Sequence, residues 1–286
     1  MPIQYPAVLD VNEEGRQFRW SERDTMLYAL AIGMGADPLE PRELRFVYEN
    51  NLLVVPTFAA VAAWGAGIPP ERLGLNRSKT LHGEEGLVVH QPIGPIGSVI
   101  ADSRVAAVYD KGEGKGAVIV RETVLRDAES KAPVATLTRT AFARADGGFG
   151  GPADTRPVES RPERRPDATV ELSTRRDQAL LYRLCGDRNP LHADPEVATA
   201  AGFEVPVLHG LCTYGIACRA VLQTFCDYEP ERIREFSVRF SAPVLPGDML
   251  TVEMWKHEQD VWFEVGVRAR NVQVIKNGRV KLAVLN

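Results

Sequence analysis

Long hydrophobic runs are missing from this chain of 286 residues. No stretch of 18 apolar residues occurs, so no membrane-spanning helix is expected. Basic charge is not in excess either. The formal net charge is −4 and the isoelectric point lies near 5.8, which provides no strongly basic surface and argues against a nucleic-acid partner. Cysteine is scarce: Cys185, Cys212, Cys218 and Cys226 form no Cys-x-x-Cys pair and complete no zinc-site spacing. They read as reduced, mostly buried thiols of a cytoplasmic protein. No two of His82, His90, His192, His209 and His257 stand four apart on a helix, which removes another common metal pattern. The first residues lack the charged-then-apolar order of a signal peptide, and the last four, Ala283-Val284-Leu285-Asn286, are not a Ser-Lys-Leu peroxisomal address. A cytoplasmic location is therefore the expectation.

What remains is the profile of a packed globular chain, 44% apolar and 25% charged, long enough for one large domain or two ordinary ones. Composition divides it. From Asp146 to Asp167 the sequence is rich in Gly, Pro and Arg with almost no apolar residue, so it cannot bury enough surface to fold alone and reads as a surface connection. The division expected is residues 1–150, a linker over 151–168, and residues 169–286. The two sides are faintly alike. Asp24 and Gly33 bracket DTMLYALAIG as Asp177 and Gly186 bracket DQALLYRLCG, and VPTFAAVAAW (55–64) can be laid on VPVLHGLCTY (205–214). Their shared order favours an internal duplication.

In the second half, residues 169–172 suit a short strand, and Ser173 or Thr174 can cap a helix running to Cys185 with Leu180, Leu181 and Leu184 as an apolar stripe. Gly186 stops it. Pro195 can open a short helix ended by Gly202, and a longer helix, apolar on most sides and hence swallowed by something, starts near His209. Alternating segments follow over 232–241, 248–257, 261–271 and 272–284, with turns at Pro246-Gly247, near Gln259-Asp260 and at Asn277-Gly278. One buried helix followed by an antiparallel meander describes a sheet wrapped round a helix, an α+β architecture. The first half repeats it, with 56–64 as the central helix and strands from Leu87, Ser98, Ala117 and Val134 onward. Gly112-Glu-Gly-Lys-Gly-Ala117 lacks the helix that a nucleotide loop needs and reads as a hairpin turn.

The chemistry concentrates in Tyr182-Arg-Leu-Cys-Gly-Asp187-Arg-Asn189-Pro-Leu-His192-Ala-Asp194-Pro195. A helix ends, an acid and an imidazole stand five apart, and Asn189-Pro190 forces a turn that can bring both side chains to one small volume. Such a pair can hold a water molecule and move two protons. Singly, the structural reading is the better one for each: Asp187 as a turn residue, His192 as a satisfied structural histidine, Asn189 as ordinary turn chemistry. A second piece, Pro206-Val-Leu208-His209-Gly210-Leu211, puts a glycine at a helix start, where free N–H groups and the helix dipole can hold a thioester oxygen as it becomes an enolate, or where a glycine only permits tight packing.

The run Y-R-L-x-G-D-x-N-P-L-H-x-D-P, then G-F-x-x-P-V-L-H-G-L, then R-F-S-A-P-V-L-P-G-D over 239–248, resembles the signature of the MaoC-like (R)-specific enoyl-CoA hydratases, or hydratase 2. The first half is similar to the degenerate first repeat of the two-domain members, with LHGEE (81–85), Pro-Ile-Gly-Pro-Ile-Gly (92–97) and GGFGG (147–151) fitting loosely. The resemblance implies a double hot-dog fold. It also implies reversible syn hydration of trans-2-enoyl-CoA to (3R)-3-hydroxyacyl-CoA, in fatty-acid or related acyl-CoA metabolism. Carried over position by position, Asp187 and His192 are the catalytic pair, Asn189 orients them, and the Gly210 N–H lies in the oxyanion hole. Leu208, His209 and Arg239 fall on substrate-binding positions; Arg239 is a candidate for the CoA phosphates, with surface solvation an equal or better reading for any single arginine. No metal or redox cofactor is implied, the acyl-CoA being the substrate. The order of proton transfers between Asp187 and His192 stays open. Where the second half has G-D-x-N-P-L-H the first has Gly33-Met34-Gly35-Ala36-Asp37-Pro38-Leu39-Glu40, and Ala59-Ala60 replaces His209-Gly210, so the first half is expected to be inactive and to leave room for a bulky acyl chain. The competing readings are an acyl-CoA thioesterase on the same fold, a dehydratase working in the reverse direction, and a non-catalytic acyl-binding protein. Sheet edges in this fold often pair, which allows a homodimer, although the duplication can itself supply that pairing.

Overall fold

Strand formation follows the two-residue alternation of side chains. In the segment Asp260–Val267 every second residue, Val261, Phe263, Val265 and Val267, is buried, while those between are half-exposed. Ten such strands occur in the computed structural model, which describes residues 3–76, 79–157 and 160–284. They are β1 (Asn12–Trp20), β2 (Thr80–Val89), β3 (Gly97–Asp110), β4 (Ala117–Asp127), β5 (Pro133–Ala143), β6 (Ala168–Ser173), β7 (Ile233–Phe240), β8 (Met249–His257), β9 (Asp260–Val267) and β10 (Val272–Leu282). All pair antiparallel in one sheet of order β1-β3-β4-β5-β2-β7-β10-β9-β8-β6. Each half repeats the same internal order, first strand outermost and second strand innermost, and the halves join along β2–β7, where Leu87 faces Phe236. This is the double hot-dog architecture: a duplicated α+β unit whose curved sheet packs on helices.

The helices are α1 (Glu22–Ala31), α2 (Pro41–Leu44), α3 (Ala59–Ala62), α4 (Gln178–Tyr182), α5 (Pro195–Ala200) and α6 (Gly210–Phe225). The sequence of α6 is apolar nearly all round, and twelve consecutive residues from Leu211 to Leu222 are buried, as a helix enclosed by a sheet requires. It packs so closely on α1 that a Cβ at Gly215 would stand 2.5 Å from Ile32 and 2.7 Å from the Tyr28 hydroxyl. Only glycine fits there. Two polar contacts cross between the halves at the same place, where the carbonyl of Ala31 accepts from Gln178 Nε2 and from Cys212 Sγ. A third tie is a buried ion pair. Arg219 on α6 donates through Nε and Nη2 to both carboxylate oxygens of Glu43 on α2, at 2.8 and 3.1 Å, and the Gly35 N–H and Tyr228 hydroxyl bind the same carboxylate. With every lone pair occupied, the pair tolerates its burial.

Several expectations need correcting. The helix before the catalytic turn is not capped by Ser173 or Thr174. Ser173 ends β6, and the Thr174 hydroxyl instead donates to the Asp248 carbonyl and accepts from the Gly247 N–H, clamping the β7–β8 turn. The helix begins at Gln178, and its Leu180 and Leu184 are exposed at 54% and 56%, so the leucine stripe lies at the surface with only Leu181 packed inward. The central helix expected over 56–64 is one 3-10 turn, Pro56–Phe58, followed by the four residues of α3. Asn277-Gly278 makes no hairpin turn. It is a bulge inside β10, with Asn277 in the left-handed region and Phe263 packed where a Gly278 side chain would be. β1 was not anticipated, because an edge strand carrying four charges and a glycine shows no apolar alternation. Elsewhere the agreement is close. α5 starts at Pro195, α6 is capped by His209, the 112–116 loop is a hairpin turn, and Cys212, Cys218 and Cys226 are fully buried. Within the Gly/Pro/Arg-rich segment, residues 160–167 pack on the sheet through Trp255, with Arg161 over its ring at 4.6 Å and its indole donating to the Arg164 carbonyl.

Candidate active site

The turn after α4 builds the site from the backbone outward. Gly186 has φ of 130°, and a Cβ there would meet the Trp64 ring at 2.7 Å, so this glycine both stops the helix and lets Trp64 of the first half pack against the turn. Asp187 follows, half-buried, its Oδ1 accepting the Asn189 N–H at 3.1 Å. The Asn189 side chain accepts from the Leu191 N–H and caps the single 3-10 turn Pro190–His192. Asn189 thereby shapes the loop, and its carboxamide is exposed rather than turned onto the acid or the imidazole.

His192 ends that turn, half-buried, with Nδ1 2.8 Å from the Val207 carbonyl. A carbonyl only accepts, so Nδ1 carries the proton and Nε2 keeps its lone pair. His209, 1% exposed, stacks on His192 with ring centroids 3.7 Å apart and donates from Nε2 to the Asp187 carbonyl at 3.1 Å. Burial pushes the His192 imidazole below its ordinary value, and burial together with His192 brings His209 down to about 4. Both are neutral near pH 7. Ligand atoms of Asp187, His192 and His209 lie within 4.8 Å of one another, a convergence that sequence spacing does not reveal. The three groups could also hold a metal ion, since His192 Nε2 and His209 Nδ1 stay free while the other nitrogen of each ring is held by a carbonyl. The same arrangement suits proton transfer.

Gly210 opens α6, so its N–H has no acceptor within the helix and faces the dipole's positive end. A Cβ at Gly210 would lie 3.3 Å from the Phe240 ring. Leu208 is buried, with its N–H on the Val244 carbonyl. Arg239 is exposed and alternates with Val238 and Phe240, which turns it to the outer sheet face beside Glu84 and Lys276, away from the catalytic turn. The structure therefore brings together Asp187, His192, His209 and Gly210 and leaves Arg239 apart.

The residues sequence reasoning missed come from the first half. Phe240 touches His82 with rings 5.0 Å apart. His82 Nε2 stands 2.8 Å from Glu85 Oε2, Glu85 takes a bidentate pair from Arg139, and the Arg139 guanidinium lies 5.8 Å from the Trp64 ring. Trp64 returns to Gly186. The wall facing the turn that carries Asp187 and His192 thus belongs to the first half.

Residues 157–278 match the family described as MaoC like domain, and residues 18–145 match the MFE-2 hydratase 2 N-terminal domain. The chain belongs to the MaoC-like hydratase 2 family. This hydratase 2 chain is 39% identical over 283 residues to a Mycobacterium tuberculosis protein named Enoyl-CoA hydratase ChsH3, covering 97% of this chain and 98% of that one. It is 41% identical over 259 residues to the 3-hydroxyacyl-thioester dehydratase Y of the same organism, covering 88% of each. The solved structure of a MaoC-like dehydratase from Phytophthora capsici, 31% identical, overlays with a TM-score of 0.87 over 98% of both chains.

Proposed function

We propose that the protein hydrates the double bond of a trans-2-enoyl-CoA to give a (3R)-3-hydroxyacyl-CoA, and catalyses the reverse dehydration, as a lyase of acyl-CoA metabolism. The observation that carries this reading is the tautomer of His192. With Nδ1 committed to Val207, the neutral imidazole offers Nε2 as a base within the same small volume as the Asp187 carboxylate. A water between them is oriented by Asp187 and deprotonated by His192 as its oxygen bonds to C3. The electrons of the double bond move to the thioester oxygen, which the Gly210 N–H and the start of α6 stabilise. A proton returned from the same pair to C2 completes addition of one water. Proton transfer alone balances this reaction, so it consumes no oxidant or reductant.

Asn189 acts by holding the turn, and Leu208 by backing it. Arg239, on the outer face, reaches CoA only where the nucleotide end lies over that face. The short α3, where the second half has a full helix, leaves space beside the sheet for a long acyl chain, and strict preference for four-carbon substrates would count against that role. Both walls, the turn after α4 and the facing first-half residues on β2 and β5, come from the same chain, which is compatible with a monomer or a homodimer. No helix among the described residues is long and apolar enough to cross a membrane, and all four cysteines are free thiols. The thiols support a cytoplasmic location. Turnover of enoyl-CoA by the wild type, and its loss in Asp187→Asn, tests the assignment.

A further inference from the structure

The inner face of the first half carries a row of side chains that an apolar pocket does not need. Across β4, β5, β2 and β7 the register places Arg121 opposite Arg139, Arg139 opposite Glu85, and Glu85 opposite Val238. His82 joins the row because a bulge between His82 and Glu84 puts it on the same face as Glu85. Two guanidiniums in directly opposed positions, with Cβ atoms about 5 Å apart, repel each other. One carboxylate answers them. Glu85 is fully buried and spends both oxygens on Arg139 and His82. Burial alone would raise its carboxyl, but Arg139 and His82 outweigh that and hold it at about 2. Burial also keeps His82 below its ordinary value and hence neutral near pH 7.

Arg121 makes no ion pair among the described residues and feels Glu85 only at a distance. Its Nη1 donates to the Ile68 carbonyl, and its Nε is buried with no hydrogen-bond partner among the described residues. Burial, then Arg139, bring it down to about 10, so it is still charged near pH 7, and the charges acting on it are Arg139 and Glu85. Asp187 acts on Arg139 from beyond Trp64 but not on Arg121. Arg121 is half-buried as a residue, but a guanidinium with a buried, unpartnered Nε and a like charge directly opposite is costly unless something supplies an anion. The row borders the site, through Arg139 over Trp64 and His82 against Phe240, and the Arg139 and His82 side chains are 27% and 29% exposed while Glu85 has no exposure. It also lies beside α3, where the central helix is cut short.

We propose that Arg121 and Arg139 form an anion subsite that receives a carboxylate borne by the acyl group of the substrate, so that the preferred substrates are trans-2-enoyl thioesters with an acidic acyl end. This rests on the hydratase reading, and the test separates the two. The carboxylate supplies Arg121 with the charge-assisted hydrogen bonds it lacks, and a methyl-ended chain leaves it unpaired.

The experiment compares kcat/KM for methyl-ended and carboxylate-ended trans-2-enoyl-CoA over a matched series of chain lengths, in the wild type and in Arg121→Met. The wild type is expected to favour the carboxylate by about tenfold or more at one or more lengths, as one or two charge-assisted hydrogen bonds allow. In Arg121→Met the ratio of the two values falls toward one at that length. Raised ionic strength, applied to the wild type alone, reduces KM discrimination much less than it would for an exposed pair. No preference for the carboxylate at any length overturns the subsite, whether or not the variant folds, and so does a preference that survives Arg121→Met. Turnover of methyl-ended substrates in the same series reports on the hydratase reading by itself.

Discussion

The stacked histidines make acid stability a quantitative test of the site's construction. His209 is held neutral, its folded-state value near 4 against an ordinary 6.5. The unfolded chain therefore binds a proton that the folded one refuses between those values, and stability contributed by His209 is complete above about pH 6.5 and is lost as pH falls toward 4. Each pH unit in that window is worth about 1.4 kcal/mol. Moving from about pH 7 to about pH 5 therefore costs the fold about 2 kcal/mol from His209 alone. His192 and His82, also pushed down by burial, add in the same direction. His209→Gln keeps a side-chain N–H for the Asp187 carbonyl but cannot be protonated, so it isolates the effect. Urea unfolding of both proteins at a series of pH values should show the wild type losing about 2 kcal/mol more than the variant by about pH 5. Parallel losses would mean that His209 is not held neutral and that the stacked pair is misread.

Two further outcomes follow from the geometry. Asp187→Asn and His192→Ala should each lower kcat on the order of 10²- to 10⁴-fold while the fold survives, since both half-buried side chains lie in a turn outside the main core; paired kinetics and thermal melts check this. Glu43→Gln, remote from the turn, should cost about 3–5 kcal/mol by stranding buried Arg219, and adding Arg219→Met should recover much of it in a denaturant titration.

The catalytic turn could be read from the sequence because its determinants are local. Gly186, Asn189-Pro190 and Pro195 each dictate backbone within a few residues, and the apolar surround of α6 announces a buried helix. The extent of the first-half helix could not be read the same way. VPTFAAVAAW is as apolar as its counterpart, and nothing local says that it turns once and stops at Ala63. The leucines of α4 misled for the reverse reason: spacing shows that they share a face but not whether that face is covered. The row formed by His82, Glu85, Arg121 and Arg139 was hidden by distance along the chain and by the bulge in β2, which breaks the two-residue alternation that a strand reading relies on. Arg239 sits inside a family motif, yet strand alternation turns it outward. Short motifs pointed to the turn carrying Asp187 and His192, while the wall facing it became visible only through strand register.

The central claim is tested most directly by mixing the protein with a short and a long trans-2-enoyl-CoA and following loss of the conjugated thioester absorbance. The product is then offered to (R)-specific and (S)-specific 3-hydroxyacyl-CoA dehydrogenases. Loss of absorbance, oxidation by the (R)-specific enzyme alone, and abolition of both in Asp187→Asn are the predicted results. Unchanged absorbance with release of free CoA thiol would contradict the account and point to thioester hydrolysis on the same fold.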